Sequence, residues 1–236
     1  MQPRFSVLLL LVVLLPAPAA AQEWLPSRRE AAAGAALLGA GMLLDRTIAG
    51  TVPDGGGTRW STLVLNHAGR PHYAVIALGT TAAAGTLTGH DEVRDGALRV
   101  TAGLLAAGVA NGTLKYSLGR ERPNTSDEPW RLRPLATDNR WQSFPSGHAT
   151  VAFALAAALT EETGEPWVAA AGYGGAVLVG WSRVYENKHW TSDVVAGALV
   201  GIVGGRGTVR FLRRRGAEPP QVTIAPGWMA VRVPVR

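Results

Sequence analysis

The feature that most constrains this chain is a series of apolar segments, rich in alanine, leucine, glycine and valine and mostly free of internal charge. A helix built from such a segment is apolar on every side, so it must be buried in protein or in lipid. Proline, glycine and charged residues bound the segments, as expected of helix ends. The sequence therefore predicts an all-α fold, a bundle of six helices. The segments are Ala31 to Leu44, Tyr73 to Gly89, Ala97 to Leu114, Ala149 to Leu159, Trp167 to Trp181 and Val194 to Val203.

The choice between a membrane-embedded and a soluble bundle depends on the length of these segments. A membrane span normally needs about 18 or more apolar residues, and runs of about 10–14 are often core helices. Several segments are only 11 to 15 residues long. Small residues such as Gly172, Gly174 and Gly175 allow the close helix contacts common in membranes, although they also pack soluble bundles. We favour the membrane-embedded bundle, with the soluble or peripheral one as the alternative.

Residues 1–21 have the pattern of a secretory signal peptide. Arg4 is the positive residue, Val7 to Leu15 is the apolar run, and Ala19 to Ala21 is the small-residue cleavage site. The alternative is a first transmembrane anchor, but the apolar run is shorter than the about 18 residues of a span. The pattern predicts export to the bacterial cell envelope. The sequence contains no cysteine, which excludes disulfides, thiolate nucleophiles and cysteine-bound metals.

The formal net charge of +6 does not by itself indicate binding to nucleic acid. The positive residues do not form a stripe with interleaved aromatic side chains, as a nucleic-acid surface would require. A group of arginines instead follows the last apolar segment, as juxtamembrane basic residues do on the cytoplasmic side of a membrane. These arginines are Arg206, Arg210, Arg213, Arg214 and Arg215.

Three polar segments in the second half of the chain suit an oxyanion better than a core. Phosphoryl transfer needs positive charge near the non-bridging oxygens, and Lys115, Arg122 and Arg183 are three candidate cations. Lys115 and Arg122 are seven residues apart, which places them on one face if the third helix continues to Pro123. Any one of these cations could equally be a solvated surface residue. The segments are Lys115 to Pro123, Ser143 to His148 and Ser182 to Asp193.

The second segment ends where an apolar run begins, so Ser146 and Gly147 should lie at a helix N-terminus. Unpaired backbone N–H groups and the helix dipole bind anions there, and a glycine allows the phosphate to approach the main chain. Ser146 as an ordinary N-cap is the plain alternative. His148 follows directly and is the candidate to protonate a leaving oxygen.

His189 and Asp193 are four residues apart, a spacing that stacks two side chains on one helix face. The carboxylate can then fix the tautomer of the imidazole and leave the other ring nitrogen free to attack phosphorus. The same spacing is also common in purely structural pairs. A zinc site built from the two histidines and the aspartate is disfavoured, because three nearby cations would repel the metal.

Helix order predicts that all three segments lie at one end of the bundle. Lys115 follows the third helix, His148 opens the fourth, Arg183 ends the fifth and His189 opens the sixth. The terminal arginines then lie at the other, cytoplasmic end, and the site faces the periplasm. For a spanning chain with a cleaved signal peptide, this requires that the segment from Ala31 to Leu44 does not cross the bilayer.

The three segments, in this order, resemble the three-part signature of the type 2 phosphatidic acid phosphatase (PAP2) and vanadium haloperoxidase superfamily. The resemblance covers residues 115–193 and implies a six-helix core without a metal or other cofactor. It implies that His189 becomes phosphorylated, that Asp193 supports it and that His148 is the acid. The phosphate-binding residues implied by the resemblance are Lys115, Arg122, Ser146, Gly147 and Arg183.

The resulting expectation is a phosphatase domain over residues 22–215 and a C-terminal extension over residues 216–236 that has partial strand-like alternation. The expected substrate is a phosphomonoester or pyrophosphate, most plausibly of a lipid, and the membrane is the expected partner. The alternatives are a soluble periplasmic acid phosphatase of broad specificity, a vanadate-dependent haloperoxidase and a non-catalytic anion-binding protein. The sequence predicts neither the oligomeric state nor the individual substrate.

Overall fold

The computed structural model describes residues 25–52, 64–65, 67–214, 221–225 and 228–232. Within these residues the chain forms six long helices followed by a β-hairpin, so the predicted six-helix bundle is confirmed. The predicted signal peptide over residues 1–21 lies outside the described residues. The helices are α1 (Arg28–Ala49), α2 (Pro71–Thr88), α3 (Asp91–Leu118), α4 (Gly147–Thr163), α5 (Pro166–Tyr185) and α6 (Thr191–Arg214).

Helix α1 is longer than the apolar segment that predicted it. It has 22 residues rather than the 14 from Ala31 to Leu44, because a capping box starts it three residues earlier and it continues for five more residues to Ala49. The Ser27 hydroxyl accepts a hydrogen bond from the Glu30 amide, and the Glu30 carboxylate accepts one from the Ser27 amide. At about 1.5 Å per residue the helix is about 33 Å long, so its length is sufficient to cross a bilayer.

Helix α3 does not reach Pro123, which was the condition for Lys115 and Arg122 to share one helix face. It passes the apolar segment that ends at Leu114 and stops at Leu118, because Gly119 adopts a left-handed φ of 56°. A side chain at Gly119 would also clash with the carbonyl group of Arg133, so glycine is required there. Arg122 consequently lies in extended chain, and the prediction that it shares a helix face with Lys115 is wrong.

The centre of the bundle is formed by α3, α4 and α6, which pack at very short range. Three glycines of α6 spaced four residues apart, Gly197, Gly201 and Gly205, face the backbone of α4. Val100 and Ala107 of α3 are fully or almost fully buried in the same core. Small residues let the helix axes approach closely, so the two chain segments that begin α4 and α6 are brought side by side.

All segments that were predicted to form the site lie at one end of the bundle. The C-termini of α1, α3 and α5 and the N-termini of α2, α4 and α6 meet there. The opposite end is fastened by ion pairs of the terminal arginines, between Arg206 and Glu30 at 2.9 Å and between Arg210 and Glu161 at 2.8 Å. Helix alternation therefore separates the candidate site from the arginine cluster by the length of the bundle.

The outer surface of the bundle is largely apolar. Helices α1, α3 and α6 are long and apolar enough to cross a membrane, and only 17% to 39% of the residues in their apolar windows are buried inside the bundle. Leu43 of α1 is 85% exposed, Leu87 of α2 is 87% exposed, and Trp167 of α5 is 69% exposed. Many exposed large apolar side chains on long apolar helices are typical of a membrane-facing protein. The predicted membrane-embedded bundle is therefore supported over the soluble one.

The C-terminal extension contains an antiparallel hairpin of strands β1 (Gln221–Ala225) and β2 (Trp228–Arg232). The register pairs Gln221 with Arg232 and Ala225 with Trp228. The expected strand character of this extension is thus present in the backbone.

Candidate active site

Lys115 and Arg122 converge on one loop carbonyl although only Lys115 is helical. Lys115 Nζ donates hydrogen bonds to the carbonyl oxygens of Gln142, at 2.8 Å, and Pro145, at 2.7 Å. Arg122 Nη2 donates to the same Gln142 carbonyl at 3.3 Å. The loop before α4 thus brings the two predicted cations together after α3 has ended.

The guanidinium group of Arg122 is fixed by backbone and side-chain acceptors. Nε and Nη2 donate to the carbonyl oxygen and side-chain oxygen of Asn139 at 2.8 and 2.9 Å, and Nη1 donates to the Lys188 carbonyl at 3.0 Å. Nη1 also lies 3.4 Å from His189 Nε2. Burial is the main cause that lowers the pKa of Arg122; the Asp193 carboxylate opposes this shift, and the positive charge of Arg183 adds to it.

Arg183 lies in the last turn of α5 and is buried. Its Nη2 forms an ion pair with Glu186 at 2.9 Å and also contacts the Ser182 hydroxyl at 3.2 Å. Its carbonyl oxygen accepts hydrogen bonds from the amides of Lys188 and His189 at 3.1 and 3.3 Å. Arg183 is therefore joined to His189 through the backbone, and its carboxylate partner Glu186 was not predicted from the sequence.

Ser146 and Gly147 occupy the helix N-terminus that the sequence predicted. Ser146 is the N-cap of α4, and its hydroxyl accepts from the Ala149 amide at 3.5 Å. Its own amide donates to the carbonyl oxygen of Asp193 at 2.9 Å, which joins the start of α4 to the start of α6. A Cβ built on Gly147 would meet only Asn111 Oδ1, at 3.8 Å, so the protein leaves open space beside this glycine.

His148 is the second residue of α4 and is covered by the chain that precedes α2. Gly69 is buried there, and a Cβ at this position would lie 2.7 Å from His148 Cδ2 and 3.0 Å from Val179 Cγ1. The backbone of Gly69 therefore packs directly on the imidazole of His148. No sequence pattern predicted this contact.

His189 and Asp193 are brought together, although not on one face of a helix as predicted. Helix α6 begins at Thr191, so His189 precedes it, and Asp193 caps its first turn by accepting a hydrogen bond from the Trp190 amide at 2.9 Å. His189 Nδ1 faces Asp193 Oδ2 at 3.6 Å, longer than a hydrogen bond. Catalytic hydrogen bonds often tighten only when substrate binds.

The imidazole of His189 is buried beside cations, and this surrounding lowers its pKa. Burial is the main cause that lowers its pKa to about 3, and the charges of Arg122 and Lys115 act in the same direction. Asp193 opposes the shift without cancelling it. The ring is therefore uncharged at neutral pH, as a nitrogen nucleophile must be.

Two charged residues that sequence reasoning did not single out, Asp45 and Arg120, complete the surroundings of Asp193. Arg120 Nη1 donates to Asp193 Oδ1 at 2.7 Å and Arg120 Nη2 donates to Asp45 Oδ2 at 2.8 Å. Both Asp45 and Arg120 are almost fully buried. A carboxylate directly after the apolar segment that ends at Leu44 was the available signal, since a buried charge in such a helix needs a partner.

The arrangement offers an uncharged imidazole, an adjacent carboxylate, three cations and a helix N-terminus with open space at Gly147. Together these groups could bind a tetrahedral oxyanion next to His189 Nε2. Across the described ranges, no three histidine, aspartate or glutamate side chains are grouped closely enough to bind a metal ion.

Curated relatives match part of the chain. A lipid A 1-phosphatase of Porphyromonas gingivalis is 41% identical over 103 residues, which are 43% of this chain and 20% of that protein. An undecaprenyl-diphosphatase of Sulfolobus acidocaldarius is 41% identical over 88 residues, which are 37% of this chain and 41% of that protein. The chain therefore spans less than half the length of these two relatives.

Solved structures share the fold. The crystal structure of Aquifex aeolicus LpxE has a TM-score of 0.50 at 24% identity and covers 72% of this chain and 94% of its own. The transmembrane PAP2-type phosphatidylglycerolphosphate phosphatase of Bacillus subtilis has a TM-score of 0.52 at 22% identity. The match covers 83% of this chain and 90% of that protein. The family model of the PAP2 superfamily matches residues 96–217, just over half of the chain and all of the segments that build the site. This chain belongs to the PAP2 superfamily.

Proposed function

We propose that this protein is a membrane phosphatase that hydrolyses a phosphomonoester or pyrophosphate of a lipid through a phosphohistidine at His189. The observation that carries the proposal is the position of His189 Nε2, 3.4 Å from the fixed guanidinium group of Arg122. The opposite ring nitrogen faces the carboxylate of Asp193. A nucleophile and a phosphate-binding cation therefore lie next to each other. The carboxylate of Asp193 can accept the proton on the other ring nitrogen of the nucleophile.

The first step is binding of the phosphate group. Lys115, Arg122 and Arg183 neutralise the non-bridging oxygens, and the N-terminus of α4 contributes its backbone N–H groups. The open space at Gly147 supports this role, because the protein itself does not require a glycine there. The ion pair of Arg183 with Glu186 leaves the other edge of the guanidinium group for the ligand.

The second step is attack by His189. The lone pair on Nε2 forms a bond to phosphorus, the bond from phosphorus to the leaving oxygen breaks, and His148 gives that oxygen a proton. The imidazole gains positive charge during this step, and the adjacent Asp193 carboxylate stabilises it. In the third step His148 takes a proton from water, the water oxygen attacks phosphorus, and inorganic phosphate leaves His189 Nε2.

The apolar outer surface of the bundle supports a lipid substrate. The site lies at one end of a bundle whose exposed helix faces suit hydrocarbon, so a lipid headgroup at the membrane surface is at the right depth. The names of the two curated relatives, a lipid A 1-phosphatase and an undecaprenyl-diphosphatase, point to the same class of substrate.

We place the site on the periplasmic side because the terminal arginines lie at the opposite end. The absence of cysteine makes this side measurable with single introduced cysteines and a membrane-impermeant maleimide. Leu135, which is 76% exposed in the loop before α4, reports on the site end, and Glu165 reports on the opposite end. We expect Leu135→Cys to be labelled on intact cells and Glu165→Cys only after lysis. The reverse pattern would place the site in the cytoplasm.

The catalytic proposal is tested by phosphate release from purified protein in detergent. The substrates to compare are phosphatidic acid, phosphatidylglycerol phosphate, a polyprenyl diphosphate, a lipid A phosphate and a soluble aryl phosphate. We expect hydrolysis of at least one lipid substrate and loss of that activity in His189→Ala. Full activity of His189→Ala would refute the mechanism, and preference for the soluble ester would favour a broad-specificity acid phosphatase. Halide oxidation that requires peroxide and added vanadate would indicate a haloperoxidase instead.

A further inference from the structure

A buried chain of charged and polar groups connects α1 to the carboxylate beside His189. Asp45 Oδ1 accepts a hydrogen bond from the Ser192 amide at 2.8 Å, and Asp45 Oδ2 accepts from the Ser192 hydroxyl at 2.6 Å. The Ser192 hydroxyl in turn accepts from Arg120 Nη1 at 2.7 Å. Arg120 Nη1 also donates to Asp193, so Asp45 and Asp193 share one guanidinium group.

Both oxygen atoms of the Asp193 carboxylate accept hydrogen bonds from neighbouring residues. Oδ1 accepts from Arg120, and Oδ2 accepts from the Ser143 hydroxyl at 2.5 Å and from the Trp190 amide at 2.9 Å. The side chain therefore has one orientation, with Oδ2 directed at His189 Nδ1. A carboxylate fixed in this way can hold the imidazole in the tautomer with hydrogen on Nδ1.

The buried group of Asp45, Arg120 and Asp193 contains more negative than positive charges. This imbalance affects the chemistry of the site more than the folding of the chain. Two carboxylates, each with no exposed side-chain surface, share a single arginine whose side chain is 3% exposed, so the group has one excess negative charge. Burying an excess charge does not help a fold. On the Asp193 side of His189, however, the excess negative charge stabilises the positive charge that the imidazole acquires when Nε2 bonds to phosphorus.

We propose that Asp45 and Arg120 are positioning residues, which fix the orientation and charge of Asp193 and thereby set the tautomer and reactivity of His189. Asp45 comes from α1, which lies outside the matched residues 96–217, so the catalytic unit extends beyond the family signature. The inference rests on the proposed function for its kinetic consequences, but the tautomer of His189 can be observed without any substrate.

The kinetic test compares Asp45→Asn with Glu162→Gln. Glu162 forms a bidentate ion pair with Arg99 at 2.6 and 2.9 Å toward the other end of α3 and α4, so its loss perturbs the fold without reaching the site. We expect Asp45→Asn to lower kcat by about 10- to 100-fold with little change in KM, the range typical of groups that orient a functional residue without touching the substrate. Glu162→Gln should lower the Tm and leave kcat unchanged. Equal kcat in the two variants would overturn the inference.

A double-mutant cycle separates action through Asp193 from an independent effect. If Asp45 acts by positioning Asp193, then Asp45→Asn should have almost no further effect on kcat in the Asp193→Asn background. Multiplicative losses in the double variant would contradict the inference. If Asp45→Asn does not fold, Ser192→Ala can replace it, because this variant removes only one hydroxyl group from the same hydrogen-bonded chain. We expect Ser192→Ala to lower kcat as well.

Nitrogen NMR of ¹⁵N-histidine-labelled protein provides the readout that does not depend on turnover. The His189 signals are assigned by their loss in His189→Gln. We expect a single tautomer protonated at Nδ1 in the unsubstituted protein and a mixture in Asp45→Asn, whereas Glu162→Gln should match the unsubstituted protein. The same tautomer in all three would refute the positioning role even if the protein hydrolysed none of the substrates tested. Failure of hydrolysis with the expected NMR result would refute only the proposed function.

Discussion

Replacing Gly201 by alanine would test the close approach of α4 and α6, on which the assembly of the site depends. A methyl group on Gly201 would lie 2.5 Å from the carbonyl oxygen of Thr150 and 2.8 Å from the amide nitrogen of Ala154. Close carbon-to-oxygen contacts between packed helices are about 3.3–3.6 Å. The two helices would therefore have to separate locally by about 1 Å.

The expected cost follows from what the new methyl group meets. Overpacking costs about 1–3 kcal/mol, and the upper end applies because backbone atoms cannot escape by changing rotamer. Alanine returns about 1 kcal/mol through its higher helix propensity. The net loss is about 2 kcal/mol, which for a chain of this size lowers the Tm by about 4–8 °C.

Activity should fall in a graded way along the same row of glycines. Added methyl groups at Gly197, Gly201 and Gly205 would all meet carbonyl oxygens of the helix α4 segment, at Ser146, Thr150 and Ala154 respectively. Successive glycines are about 6 Å further from the site. The Gly197 variant should separate Ser146 from Asp193 directly, and misplacement by about 1 Å can cost about 100-fold in rate. We expect kcat to fall most for Gly197→Ala and least for Gly205→Ala, at similar losses of Tm.

The assay combines thermal unfolding in detergent with phosphate release, and Gly108→Ala is the matched control. Gly108 is also helical, but a Cβ there would meet no atom within 4 Å. We expect Gly108→Ala to keep full activity and to raise the Tm slightly. If Gly201→Ala were as stable as Gly108→Ala, the close packing of α4 on α6 would be refuted. A uniform kcat along the glycine row would refute its link to the site.

Four further predictions concern the site itself. Gly69→Ala should push His148 aside and lower kcat by about 10- to 100-fold, while Gly79→Ala, which meets no atom within 4 Å, should not. Because the pKa of His189 is lowered to about 3, an NMR titration should show no protonation of this ring between pH 5 and 8; a midpoint near 6.5 would contradict its burial. The unfolded chain takes up that proton below about pH 6.5, so His189 makes stability fall as pH falls, and His189→Gln should lessen the drop in Tm from pH 7 to 5. EDTA should leave kcat unchanged, because the positive charges of Lys115, Arg122 and Arg183 would repel a metal ion from the site; loss of activity that Zn²⁺ restores would contradict this.

The convergence of the polar segments could be predicted because it follows from helix order alone. Apolar segments define six helices, and alternation places the residues that flank them at one end, whatever the details of packing. The local geometry of Arg122 could not be predicted in this way, because it depends on Gly119 taking a left-handed conformation that ends α3 at Leu118, five residues before Pro123. A spacing of seven residues is compatible both with one helix face and with two segments that meet across a loop.

The pairing of Asp45 with Arg120 could not be predicted from the sequence, for a different reason. They are 75 residues apart in the chain, and neither belongs to a spacing pattern with the other. Only packing of α1 against α6 shows that Asp45 and Arg120 bury their charges against each other and against Asp193. The length of α1 was likewise underestimated, because neither of its ends is apolar: its first turn depends on the Ser27 and Glu30 capping box, and its last turns include Asp45 and Arg46.

The central claim is that His189 carries the phosphoryl group, and trapping that intermediate tests it most directly. Purified protein is mixed with a ³²P-labelled substrate it hydrolyses, denatured in alkali within milliseconds and digested, and the labelled peptide is sequenced by mass spectrometry. We predict label on Nε2 of His189 that is stable in alkali and lost in acid, and no label in His189→Gln. Label on another residue, or rapid turnover in which no labelled protein forms at any time, would contradict the account.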